Sequence, residues 1–446
     1  MTRHRSAHAD PDRPLRVAQL ANFVGPTSGG LRTVVEALGS GHLHAGTARL
    51  LIVPGPESRE NAAVGLDRRV SVGGPTLPGS RGDYHILWTR RQVSELLERF
   101  RPDLIEVHDQ TTLAWVARWA RRHGVVSVLF AHERLDLVAA ESLPVAAGIP
   151  ELLLRHWSSR LADNFDAVVC ASAYAAQPFI ETGAHVHRVP FGVDLETFHP
   201  DRTPAGQLPW RDGTMRLICV GRLHAEKVPA VALDVLAALR ADGVDAELAM
   251  VGSGPLETPL RDRARRQGLP VHFLGHQSDR HQLAGLVAAA DVALAPCARE
   301  TFALSALEAM ASGTPVVVSD SGASRELLAP RAGAAAGTAP EMAAAARRLF
   351  EDPGAVMAAR ARAEQFSWTI TVQRVQALEA RLVEAASPAG ARVRAGRLVS
   401  ARLVPARLRA AGVTVRSRAA ALPVAVRTRE LIPRQRPRLG RHRSPR

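Results

Sequence analysis

The residues able to do chemistry lie in a few short segments. Residues 221–227 read GRLHAEK and set two cations, Arg222 and Lys227, behind Gly221; Lys227 is the single lysine among 57 basic residues. A forked guanidinium beside a mobile ammonium suits a diphosphate, although two solvated loop cations would look the same. Residues 299–320 (RETFALSALEAMASGTPVVVSD) hold two carboxylates, Glu300 and Glu308, eight positions apart. Glu300 precedes a helix expected to begin near Leu304, on which Leu304, Leu307 and Ala311 face the core while Ser305, Glu308 and Ser312 share another face. Carboxylates accept from paired sugar hydroxyls, and the unpaired N–H groups of a helix start suit phosphate oxygens. Gly25–Gly30 (GPTSGG), Gly221 and Gly252–Gly254 (GSG) each follow an apolar run, where a glycine lets a ligand approach the backbone or simply forms a turn. His132 ends the run VVSVLFAHE; taken alone, a histidine there is more simply structural.

Something must bring these segments together. The first half alternates apolar β-type runs with helix-period segments, including LRVAQLAN (15–22), RLLIVPG (49–55), LIEVHD (104–109), VVSVLFAHE (125–133) and AVVCAS (167–172). After the Pro- and Gly-rich stretch 190–204 the alternation restarts with MRLICVGRL (215–223), AELAMVGSG (246–254), VHFLGH (271–276), DVALAP (291–296) and PVVVSD (315–320). Continuous apolar strands separated by helices predict parallel sheets covered on both faces. The fold class is therefore α/β, two doubly wound units in series, with ligands at the carboxyl ends of the strands. We divide the chain into a polar leader (1–13), an N-terminal unit (14–200), a C-terminal unit (201–368), a long helix (369–387) and a tail (388–446).

Composition removes several function classes. A length of 446 residues with 46% hydrophobic content is enough for two cores, and no 18-residue apolar run or signal-like leader occurs, so a cytosolic protein is expected. Cys170, Cys219 and Cys297 sit in apolar runs without metal-like spacing and are expected to be buried, reduced thiols. The net charge of +14 is local: Pro388 to Arg446 carries 16 Arg and one acid, Glu430, whereas the other 387 residues carry 41 basic and 42 acidic groups. No aromatic residue occurs in that tail, so base stacking is not available and a nucleic-acid partner is not expected. Its Arg residues alternate with Leu, Val and Ala, which suits an anionic membrane surface or a solvated extension. No G-x-G-x-x-G follows a strand and Lys227 lacks the P-loop glycine spacing, which weighs against hydride transfer and Walker-type hydrolysis. The sole Asp-x-Asp, Asp10 to Asp12, lies in the leader, so a metal-bridged diphosphate is not expected.

The G-R-L…E-K element (Gly221, Arg222, Lys227), the E-x7-E element (Glu300, Glu308) and the first glycine loop (Gly29, Gly30) occur in an order that resembles a retaining glycosyltransferase of GT-B, family 4 type, over residues 15–386. The pieces SGGLRTVVEALG, AHERLD, VPFGVDLETFHP and SDRHQLAGLVAAADVALAP are most similar to actinobacterial GDP-mannose-dependent mannosyltransferases of the phosphatidylinositol mannoside type. The resemblance implies two Rossmann-like domains facing each other across a cleft. It makes Arg222 and Lys227 the diphosphate clamp, Glu308 the ribose ligand, Glu300 the ligand of the donor-sugar hydroxyls, and the backbone of Phe302, Ala303 and Leu304 a flank of sugar and phosphate. Gly221 and Gly252 would line the donor site, Gly29 and Gly30 would approach from the other domain, and His132 would stand near the reacting sugar. No cofactor and no metal are implied. Where relatives read E-G-F-G, this chain reads Glu300, Thr301, Phe302, Ala303, and the added side chains are expected to crowd the sugar pocket. A UDP-hexose or UDP-N-acetylhexosamine donor is the alternative on the same fold; a related sugar phosphorylase would need a lysine-bound cofactor site that the resemblance does not offer.

Overall fold

The computed structural model describes residues 13–24, 29–76, 84–136, 151–180 and 185–387. The expectations for the leader and for the tail after Pro388 therefore lie outside the described residues, apart from Arg13.

Eight strands form the first sheet: β1 (Arg16–Leu20), β2 (Ala48–Gly55), β3 (Arg59–Glu60), β4 (Asp67–Gly73), β5 (Leu104–Val107), β6 (Val126–Ala131), β7 (Ala167–Cys170) and β8 (Val186–Arg188). Six form the second: β9 (Met215–Val220), β10 (Ala246–Val251), β11 (Val271–Gly275), β12 (Val292–Ala295), β13 (Val316–Ser319) and β14 (Gly333–Ala336). The orders are β3-β4-β2-β1-β5-β6-β7-β8 and β11-β10-β9-β12-β13-β14. All pairings are parallel except β3 with β4. Every residue of β6 and β10 is buried, as strands covered on both faces require. Each sheet reverses direction of growth once, at β1/β5 and at β9/β12. Loops leaving the carboxyl ends on either side of such a point diverge and leave a crevice between them. GRLHAEK follows β9 and RETFA follows β12, so the second crevice receives both.

Each half has a core of its own, one around Leu20, Ile52, Val107 and Leu129, the other around Leu217, Leu236, Leu248 and Val317. A third apolar cluster crosses between the halves through Phe191, Phe198, Phe302, Ala303 and Leu307, a feature that an expectation of two cores leaves out. Phe191 meets Phe302 edge-on at 5.3 Å between centroids, and Phe302 meets Phe366 at 6.4 Å.

The helix Trp368–Ala386 carries the chain back onto the first half. Its start is fixed by Ser367, whose hydroxyl accepts from the Ile370 N–H, and by the Thr371 hydroxyl, which donates to the Pro190 carbonyl at 2.9 Å. A side chain at Gly192 would lie 2.3 Å from the Trp368 nitrogen, so only glycine permits this approach. The buried positions Thr371, Val375, Leu378 and Glu379 form one stripe, and Gln376 donates to the Gly41 carbonyl at 3.0 Å.

Candidate active site

The loop carrying Arg222 and Lys227 is shaped by its neighbour. Gly252 has φ +139°, and a Cβ there would lie 1.9 Å from the Gly221 carbonyl oxygen, so the GSG turn packs directly on the backbone that presents Arg222. The Leu223 N–H donates to the Ser253 carbonyl at 3.0 Å and completes the contact. Gly252 thus acts on the fold of this loop, while Gly221 has open space where a side chain would be. Arg222, half exposed, pairs with Glu226 at 2.6 Å. Lys227 ends a 3-10 turn (Ala225–Lys227), and Val228 behind it takes the left-handed conformation, φ +42°.

Lys227 Nζ lies 2.6 Å from Glu300 Oε1, across 73 residues of sequence, and both side chains are largely buried at 28% and 21% exposure. Burial works against the ammonium charge, but the Glu300 carboxylate outweighs it and holds the pKa above the ordinary lysine value. The loop carrying Glu300 is supported by Gly322, whose Cβ would lie 2.3 Å from the Ala298 carbonyl oxygen, and by the Ala323 N–H, which donates to the Glu300 carbonyl at 3.0 Å.

The helix after this loop spans Leu304–Ala311, as the spacing predicted. Its N-cap is Ala303 in the left-handed region, φ +62°, with no side-chain capping bond, so the first N–H groups keep no side-chain partner from the cap. Ser305 and Glu308 are partly exposed and Leu307 and Ala311 are buried, but Ser312, one turn beyond Glu308, is covered: it is 2% exposed, its hydroxyl without a hydrogen-bond partner. The reason is tertiary. The turn after the helix packs against Pro200 and Val356, which a Cβ on Gly313 would meet at 3.1 Å. Glu308 is 15% exposed and accepts from Arg280 Nη2 at 3.2 Å; burial raises its pKa against the pull of Arg280. Arg280 in turn lies over the Phe198 ring at 5.0 Å.

The expected crowding by Thr301 and Ala303 takes a different form. The Thr301 hydroxyl donates to the His132 carbonyl at 2.5 Å, and the Thr301 carbonyl accepts from the Ser172 hydroxyl at 2.6 Å, so this residue latches the second half to the ends of β6 and β7. Ala303 and Phe302 are buried, at 4% and 5% exposure, and belong to the cluster joining the halves. Leu304 remains partly exposed, and a Cβ on Gly30 would lie 3.2 Å from its Cδ1, so Gly30 faces Leu304 across the two halves. Gly29 caps the helix Gly30–His44 and has open space around it.

His132 Nε2 lies 2.9 Å from His108 Nδ1, and burial, then the neighbouring His108, hold the His132 pKa well below the usual histidine value. Glu133 follows it. Burial raises the Glu133 pKa, and Arg222 and Lys227 are the groups that oppose the rise, so this first-half acid faces the cation pair of the second half. Sequence reasoning quoted AHERLD and SDRHQ without giving Glu133 or Arg280 a role; each stands next to a strand exit or helix start, the only signal either carried. Cys170 and Cys219 are free and buried, their thiols pushed up to about 12 by burial, and Cys297 donates to the Glu226 carbonyl at 3.1 Å. Among the described residues, His42, Glu106 and Glu379 have metal-compatible spacing, and none of the three belongs to the donor set.

Two Rossmann-like halves that meet at the carboxyl ends of their strands, with a cation pair and two carboxylates there, define a glycosyltransferase of GT-B fold. The chain belongs to the family 4 glycosyltransferases: the model described as Glycosyltransferase Family 4 matches residues 28–197, and that described as Glycosyl transferases group 1 matches residues 214–352. It is 43% identical over 364 residues, 79% of this chain and 93% of the relative, to a GDP-mannose-dependent alpha-(1-6)-phosphatidylinositol dimannoside mannosyltransferase of Mycobacterium tuberculosis (strain ATCC 25177 / H37Ra). It is 32% identical over 249 residues, 54% of this chain and 62% of the relative, to a GDP-mannose-dependent alpha-mannosyltransferase of Mycolicibacterium smegmatis. Among solved structures, sucrose-phosphate synthase from Thermosynechococcus elongatus superposes with a TM-score of 0.67 at 21% identity, covering 83% of this chain and 100% of the neighbour, and bears out the fold.

Proposed function

We propose that this glycosyltransferase moves mannose from GDP-mannose, with retention of configuration, to a phosphatidylinositol mannoside or a similar lipid-linked glycan. The observation that carries the proposal is the Lys227–Glu300 contact at the β9/β12 crevice, beside the uncapped start of the Leu304–Ala311 helix. In this reading Arg222, Lys227 and the helix N–H groups take up the charge of the departing diphosphate. Glu300 accepts from the mannose hydroxyls as positive charge develops at the anomeric carbon, and Glu308, steadied by Arg280, accepts from the ribose. The Phe302–Leu304 backbone flanks sugar and phosphate, and Gly221 leaves room for them. Gly29, Gly30 and His132 close the site from the first half. The anomeric C–O bond to phosphate breaks, the acceptor oxygen bonds the same face, and its proton passes to the leaving phosphate oxygen. The cations do the work of charge neutralisation, so the reaction needs no divalent metal and no cofactor.

The identity of the 43% relative supports both donor and acceptor in this reading. No helix of the described residues is long and apolar enough to cross a membrane. We place the enzyme in the cytoplasm, with the 16 arginines of residues 388–446 holding it on anionic headgroups where a lipid acceptor lies. The test is a donor panel on purified full-length protein with membrane lipid extract and a chelator, products read by mass spectrometry. GDP-mannose should be consumed and a phosphatidylinositol mannoside should gain one hexose. Transfer from a UDP-sugar in preference, or activity only with added divalent metal, would overturn the corresponding part.

A further inference from the structure

A file of buried polar side chains runs beneath the carboxyl end of the first sheet and stops at His132. Gln19 on β1 and Glu106 on β5 are register partners, and both are fully buried. Glu106 Oε2 accepts from Gln19 Nε2 at 2.5 Å and lies 3.2 Å from His108 Nε2; Glu106 Oε1 lies 2.7 Å from His42 Nε2. His108, 2% exposed and stacked on Phe130 at 4.6 Å, then meets His132 at 2.9 Å between Nδ1 and Nε2. Gln19 is oriented by Arg49, a fully buried guanidinium whose Nε donates to Gln19 Oε1 at 2.6 Å. Glu379, from the returning helix, approaches the far end, 3.7 Å from His42 Nε2.

Donor and acceptor rules read this file in one direction. Burial alone would push the Glu106 carboxyl up, but its histidine donors, His42 first, hold it well below the usual range, so it is an anion and can only accept. His108 must therefore carry a proton on Nε2. The single proton in the short His108–His132 contact then either sits on His132 Nε2, leaving both rings neutral, or makes His108 a buried cation. The neutral arrangement avoids burying a cation on His108 beside a carboxylate that Gln19, His42 and the Glu379 carboxyl already face.

We propose that Glu106 and His108 are positioning residues that lock His132 as its Nε2–H tautomer, so that its Nδ1 lone pair is kept as a hydrogen-bond acceptor for a hydroxyl of the reacting sugar. The lock needs no ligand and is complete in the free enzyme. It rests on the placing of His132 at the sugar in the proposed function, and it goes beyond that by fixing which nitrogen is used and in which state. Phe130 and Phe191, with ring centroids 6.4 and 5.6 Å from that of His132, wall the imidazole in, and Thr301 holds its backbone carbonyl, so ring rotation is restrained as well as the proton.

The deciding experiment is long-range 1H–15N correlation on full-length protein labelled in histidine, with His132→Ala used to assign the signal. His132 should show a protonated Nε2 and a bare Nδ1, unchanged from pH 5.5 to 8.5. A protonated Nδ1, or titration within that window, overturns the proposal in the native enzyme itself. Three variants then test the consequence. Glu106→Gln should lower kcat by about 10- to 100-fold, as lost support of a catalytic imidazole does, with little change in donor KM. His108→Asn, whose amide oxygen can stand in for Nδ1, should recover more turnover than His108→Leu. Equal loss in both, with a rise in KM matching the fall in kcat/KM, points to a merely structural role and overturns it. Wild-type turnover in His132→Ala, with the Nε2–H tautomer confirmed in the native enzyme, overturns instead the placing of His132 at the sugar.

Discussion

Glu300→Gln separates the two jobs assigned to the Lys227–Glu300 pair. In the free protein Lys227 is engaged by Glu300 at 2.6 Å, so an incoming diphosphate must share or displace that contact. Both side chains keep contact with solvent, so the pair is worth about 1 kcal/mol at most, and releasing it should tighten GDP by no more than about fivefold. The same substitution replaces charge-assisted acceptance of sugar hydroxyls by a neutral amide oxygen, a loss of about 1–1.5 kcal/mol. GDP-mannose gains the first effect and suffers the second, whereas GDP feels only the first. The ratio of Kd for GDP-mannose to Kd for GDP should therefore rise about five- to tenfold, with kcat falling further because the anionic carboxylate faces the developing positive charge. Calorimetric titration of both ligands on one preparation, with a parallel turnover assay, measures it. An unchanged ratio would show that Glu300 does not touch the sugar. A GDP affinity that falls more than about tenfold would show that Glu300 builds the diphosphate site instead.

Other substitutions probe the remaining supports. Arg222→Ala and Lys227→Ala should each abolish turnover and weaken GDP by about 10- to 150-fold, the loss of one charge-assisted contact of about 1.5–3 kcal/mol, while leaving guanosine binding unchanged; equal losses for nucleotide and nucleoside refute the clamp. Gly252→Ala should lower Tm and donor affinity together, because its Cβ would collide with the Gly221 carbonyl at 1.9 Å in a backbone conformation of φ +139°; a wild-type melting curve would refute that reading. Glu379 is pushed well up by burial and by Glu106, so the native state keeps its proton while the unfolded chain releases it above the ordinary carboxylate range. That difference opposes folding as pH rises, so Glu379→Gln should match wild type in Tm at pH 4 and exceed it at pH 8; a variant that is less stable at pH 8 contradicts a protonated Glu379.

Much of the scaffold was legible because its signals are local. Fully buried central strands such as β6 and β10 must be apolar throughout, and the helices Leu304–Ala311 and Trp368–Ala386 show their period in a single window. Several of the elements passed over lack such a signal. The edge strands β3 (RE), β8 (VHR) and β14 (GAAA) need few apolar contacts, and the helix Glu257–Arg266 is almost entirely polar, with only Leu260 and Ala264 buried.

The sequence by itself determined the α/β alternation, the concentration of charge after Pro388, and the residue types of the proposed donor site, since Arg222, Lys227, Glu300 and Glu308 each lie at a strand exit or helix start that periodicity places. Only the tertiary structure decided their partners: Lys227 with Glu300, Glu308 with Arg280, Gly30 against Leu304, Thr301 on the His132 carbonyl, and Glu106 behind His108. Periodicity records which way a side chain points along its own element, whereas these contacts join residues as far apart in sequence as Gly30 and Leu304. They depend on strand order, and strand order follows from how two parallel sheets close over a shared core, which no window of sequence contains.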